Sequence, residues 1–145
     1  MTVIITHRIN RIIVNALTDT GTSNSGCILA AYLFGSTVSG SDTPNSDLDL
    51  AFLLAALSYK TDPVQAIKLP YLLATRIGME ADYATDVTIL NSASLELAYE
   101  VITTGVCIYE SDANLRLEYE IAVKGMFFDF KPFLYELREK SIAGL

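Results

Sequence analysis

The sequence predicts an α/β (α+β) chain: a small mixed sheet flanked by helices, with a long C-terminal helical segment. Three observations carry that expectation. Short apolar runs at about 27–34, 47–54 and 84–90 alternate with stretches of helical apolar spacing. Polar and glycine-bearing breaks separate them, at Gly21 to Gly26, after Gly35 and at Gly105. Hydrophobic residues make up 51% of 145 positions, enough to bury a core in a single domain spanning 1–145.

Each element follows from its local pattern. Residues 4–18 place Ile5, Ile9, Ile12, Ile13 and Ala16 on one helical stripe, and the polar break ends it. The first strand is expected at 27–34 and the second at 47–54. Asp62-Pro63 is a natural N-cap and first-turn pair, so a helix is expected near 62–78 with Gly78 as its stop. A third strand follows at 84–90. Residues 92–104 read as a helix entered at Ser92 or Ser94 and stopped by Gly105, before a short strand at 106–109. From Asp112 to about Lys140 the spacing is helical again, with breaks expected at Gly125 and Pro132.

The chemistry concentrates between the first two strands. Asp47 and Asp49 are two apart at a strand start, so their side chains share a face while Leu48 and Leu50 turn the other way. Mg²⁺ takes oxygen ligands and commonly shares one or two carboxylates with substrate phosphates, which suits this pair. Gly35-Ser36 has a matching role. Glycine lets the backbone approach a phosphate, turn amides form an anion-binding concavity, and Ser36 adds a hydroxyl donor.

Gly35-Ser36, ten intervening residues and then Asp47-Leu48-Asp49 resemble the signature of the DNA polymerase β-like nucleotidyltransferases. Length and element order resemble most the minimal nucleotidyltransferases, the MNT or MntA-type antitoxins that act beside HEPN-family ribonuclease toxins. The resemblance implies the nucleotidyltransferase fold and a third carboxylate on a later strand. Asp86 is the candidate, because alternation in 84–90 puts Asp86, Thr88 and Leu90 on one face and Val87 and Ile89 on the other. Asp82 competes but precedes the β-branched run. In one respect the chain departs from the family: Thr37, Val38 and Ser39 stand before Gly40, where many members carry arginines. Positive charge for a triphosphate is then expected from metal ions or from Lys60, Lys68 or Arg76.

The resemblance further implies an enzyme that moves AMP from ATP to a toxin tyrosine in a complex with that toxin. Asp47, Asp49 and Asp86 would hold two Mg²⁺ ions, and Gly35 and Ser36 would bind the nucleotide. An antitoxin acting by binding alone is the alternative. A small-molecule nucleotidyltransferase fits less well, since little chain remains to bind such an acceptor.

Composition narrows the remaining classes. A net charge of −7 disfavours a nucleic-acid groove and allows a basic protein partner. No apolar run is long enough to span a membrane and the N-terminus lacks the layout of a secretory signal, so a cytoplasmic protein is expected. Cys27 and Cys107 sit in apolar runs and read as reduced, buried thiols; His7 is the single histidine. In the tail, Leu115, Tyr119, Ala122, Met126, Phe127 and Phe130, followed by Phe133, Leu134 and Leu137, exceed what one helix face needs. They are expected to close the sheet, to meet a partner, or to do each on a different stretch of about 112–140.

Overall fold

The chain builds a four-stranded mixed sheet with helices on both faces, in a computed structural model that describes residues 2–19, 27–40 and 46–142. The break at 21–26 and the 41–45 part of the polar loop lie outside the described residues. In chain order the elements are α1 (Thr2–Asp19), β1 (Ile28–Phe34), α2 (Ser36–Ser39), β2 (Leu48–Leu54), α3 (Ala56–Thr61) and α4 (Pro63–Ala81). There follow β3 (Thr85–Ile89), a 3₁₀ turn at Leu90–Ser92, α5 (Leu95–Thr104), β4 (Val106–Glu110) and α6 (Ala113–Ile142). The strand order is β3-β2-β1-β4, antiparallel on both sides of β1 and parallel between β2 and β3.

Alternation along β2 divides the core. Leu48, Leu50, Phe52 and Leu54 pack with Ile9 and Ile13 of α1 and with Leu73 and Ile77 of α4. Ala51 and Leu53 turn to the other face, which Ala98, Val101 and Ile102 of α5 and Val123 of α6 cover in part. The side-chain amide of Asn91 then acts as a substitute strand at the end of β2. It donates to the Leu54 carbonyl and accepts from the Leu54 N–H, both at 2.9 Å.

Capping explains several boundaries. Asp62 accepts from the Gln65 N–H at 3.1 Å, Ser94 from Leu97 at 3.2 Å, and Asp112 from Asn114 and Leu115. Ser94, not Ser92, is therefore the cap of α5. The Arg116 guanidinium joins Glu110 to Glu120, and the Tyr32 phenol donates to Glu120 at 2.7 Å, anchoring the start of α6 on the sheet. Burial, then the neighbouring carboxylate, pushes the Tyr32 pKa well above its ordinary value, so the phenol stays protonated.

Three helical expectations are corrected. α3 was not expected as a separate element. α4 runs past Gly78 and ends at Asp82, whose φ of 59° is left-handed, with the Tyr83 N–H bonding the Gly78 carbonyl at 3.1 Å. Gly78 serves a close approach instead: a Cβ there would lie 2.8 Å from the Tyr83 carbonyl oxygen. α6 continues through Gly125 and Pro132 as one helix of 30 residues. Both positions are exposed, so water can satisfy the carbonyl that Pro132 leaves without its donor.

Candidate functional site

The register of the sheet builds the site. Phe34 of β1 pairs with Asp49 of β2, so the chain leaving β1 passes directly beside that carboxylate. Gly35 has φ +80°, and a Cβ on it would fall 2.1 Å from Asp49 Oδ2. Only glycine fits this contact. The chain then closes one helical turn: Val38 and Ser39 donate to the Gly35 carbonyl at 3.2 and 3.1 Å, and Gly40 donates to Ser36 at 3.0 Å. Ser36 and Thr37 occupy the first turn, where backbone N–H groups have no acceptor within the helix.

β3 brings the third carboxylate. In the parallel pairing Asp86 stands opposite Asp49, and the Leu48 N–H donates to Ala84 at 2.8 Å to hold that register. Asp47 precedes β2 and is exposed, as is Asp86, while Asp49 is half-buried. Burial raises the Asp49 pKa, and the Asp86 and Asp47 charges raise it further. Gly35, Ser36, Asp47, Asp49 and Asp86 thus gather at one end of the sheet. The carboxylates occupy the face away from α1 and α4, beyond the part that α5 and α6 cover. Asp82 is elsewhere, exposed at the left-handed cap of α4.

The donor chemistry suits a hard cation, because carboxylate oxygens are the ligands Mg²⁺ prefers. Among the described residues, however, no three of His, Cys, Asp and Glu form a cluster ready to hold a metal. An ion here would complete its shell with phosphate oxygens and water.

The cations expected to help are not beside the carboxylates. Lys68 lines a groove between α3 and α4 with Leu57 and Gln65, and Arg76 pairs with Glu80 at 3.8 Å. Both belong to α4, the helix packed on the opposite face. Lys60 is on α3.

Sequence reasoning missed Thr37. It is buried, and its Oγ1 has no hydrogen-bond partner among the described residues. Its place directly after Gly35-Ser36 is the signal that could have found it.

Fold and site together define the class of nucleotidyltransferase-fold proteins. More particularly, the chain belongs to the polymerase beta nucleotidyltransferase family, which matches residues 17–114, from the end of α1 to the start of α6. It is similar in structure to a toxin–antitoxin solved with AMP-PNP, at TM-score 0.65 and 23% identity over 92% of this chain and 98% of that one. A second similar structure is the toxin–antitoxin MntA-HepT, at TM-score 0.60 and 21% identity over 92% and 97%. A third is from a tri-AMPylated Shewanella oneidensis HEPN toxin in complex with MNT antitoxin, at TM-score 0.57 and 19% identity over 92% and 98%. At these identities the likeness shows the fold. No curated protein matches the sequence. Among the described residues no helix is long and apolar enough to cross a membrane.

Proposed function

We propose that this chain is an antitoxin that silences a HEPN-family ribonuclease toxin by transferring AMP from ATP to one of its tyrosines. The observation that carries this reading is the contact of Gly35 with Asp49 beside the paired Asp86, which sets the Gly35-Ser36 turn against two carboxylates. The similar structures with AMP-PNP and with an AMPylated toxin support the choice of nucleotide and acceptor.

Asp47, Asp49 and Asp86 would hold the Mg²⁺ ions, which when bound neutralise charge on the reacting phosphates. The backbone at Gly35 and the hydroxyl of Ser36 orient the β- and γ-phosphates. A toxin tyrosine oxygen attacks the α-phosphate in line, forming a phosphodiester as pyrophosphate departs toward Ser36. Asp86 accepts the tyrosine proton. The added negative charge and bulk then obstruct an RNA-cleaving surface.

The test incubates the chain, Mg²⁺ and α-labelled ATP with a HEPN-family ribonuclease toxin. Label on a toxin tyrosine that vanishes in Asp47→Asn/Asp49→Asn is the expected result. Full neutralisation by that double variant, with no label even from the parent, would overturn it in favour of an antitoxin acting by binding alone. That second reading is favoured by one observation: Thr37, Val38 and Ser39 supply no cation after the phosphate turn, and Lys68 and Arg76 lie on the opposite layer.

A further inference from the structure

From Leu117 to Leu137, α6 carries apolar side chains on three sides, one of them turned toward α5 and another touching it in part. Val123, Phe127 and Leu134 form the side turned toward α5, where Phe127 stacks on Tyr99 with ring centroids 3.8 Å apart and Arg138 pairs with Glu96. One flank carries Met126, Phe130, Phe133 and Leu137, spaced i, i+4, i+7 and i+11. Leu117, Ile121, Phe128 and Tyr135 form the other, where Phe128 stands edge-on to Tyr99 at 6.0 Å and Tyr135 borders the groove against α5. These eight side chains are 46–70% exposed. Between the flanks runs an acidic outer ridge of Glu118, Asp129 and Glu136, with Lys140 paired to Glu136 at 3.5 Å. Exposed aromatic and aliphatic stripes of this kind, more than one helix face needs, mark an interface.

We infer that this stretch of α6 is the element that docks the toxin, lying in an apolar groove of that partner rimmed by Lys and Arg. The inference rests on the antitoxin reading above and names the surface through which it works. Charge selects the occupant. If two copies paired antiparallel through Phe130 and Phe133, Asp129 and Glu136 of one chain would face the same acids of the other, and like charges there repel. A basic rim turns the same ridge into an attraction, and the net charge of −7 adds to it at long range. Helix in groove is also the recognition mode that an i, i+4, i+7 array serves. The solved toxin–antitoxins bear on the choice, since their match omits only about a dozen residues of this chain and so takes in most of the 30-residue α6.

The test is isothermal titration of the full chain with that same HEPN-family toxin. Phe130→Asp/Phe133→Asp is expected to weaken binding at least 100-fold, with unchanged far-UV circular dichroism and unchanged ATP binding by the chain alone. Asp129→Lys/Glu136→Lys, which alters no apolar contact, is expected to weaken it about tenfold and to flatten its salt dependence. Asp47→Asn/Asp49→Asn should bind like the parent. Absence of transfer by the parent chain, with docking intact, would therefore count against the enzymatic reading and leave this surface standing. Parent affinity in the Phe130/Phe133 variant would overturn the proposal. So would a parent chain that is dimeric in solution and turns monomeric in that variant while keeping its affinity for the toxin.

Discussion

The two faces of β2 divide one seven-residue strand between opposite tasks. Leu48, Leu50, Phe52 and Leu54 are buried between α1 and α4, where every contact adds to stability. On the other face Asp49 is desolvated beside Asp86 and Asp47, an arrangement that works against folding. A strand alternates its side chains with a period of two, so neighbours one residue apart can serve ends that conflict in energy. The core face holds the register that keeps Asp49 opposite Asp86 and against Gly35.

Substitutions on the two faces should therefore separate stability from chemistry. The largest stability loss is expected for Phe52→Ala, about 3–5 kcal/mol by urea denaturation, with nucleotide transfer per folded molecule unchanged. An unmoved midpoint would show that the α1 and α4 side is not the main core. Gly35→Ala should cost about 1–3 kcal/mol, because it adds a methyl against Asp49 at a left-handed φ, and should also abolish transfer. Combining it with Asp49→Ser should recover part of that stability, and additive losses in this double-mutant cycle would refute the contact.

Asp49→Asn lies at the other end of the scale. Its stability at pH 7 should match or exceed the parent's, while transfer falls at least about a hundredfold. The smallest effect is a pH dependence. The folded pKa of Asp49 is raised above 3.8, so in the interval above 3.8 the folded chain binds more protons than the unfolded one. Stability from this group is fully present below 3.8 and is lost as pH rises through the folded value. Subtracting the Asp49→Asn curve from the parent curve should isolate that fall; a difference of opposite sign would contradict the packing of the carboxylates.

Much of this division was legible in the sequence. The period of two in 47–54 put Asp47 and Asp49 on one face, and that in 84–90 put Asp86 with Thr88 and Leu90. The family resemblance, not the period, joined Asp86 to the pair, and the parallel register stands Asp86 opposite Asp49. The departures came where a single residue answers to something distant in the chain. Gly78 reads as a helix stop, yet its missing side chain makes room for the Tyr83 carbonyl. Gly125 and Pro132 read as breaks, yet an exposed helix end tolerates the lost donor. Thr37 looked like part of a polar turn, and only the packing of α2 on the sheet buries its hydroxyl. Lys68 and Arg76 are near β2 in sequence, but the layer they occupy is set by which side of α4 is apolar.

The touch between Gly35 and Asp49 constrains how lineages of this chain could change. A side chain at 35 costs stability while a carboxylate stands at 49, so a lineage in which residue 49 is shortened tolerates more at 35. Leu48 and Leu50 serve the interior alone and stand outside this coupling. Residues 35 and 49 are thus expected to vary as an ordered pair, 49 before 35.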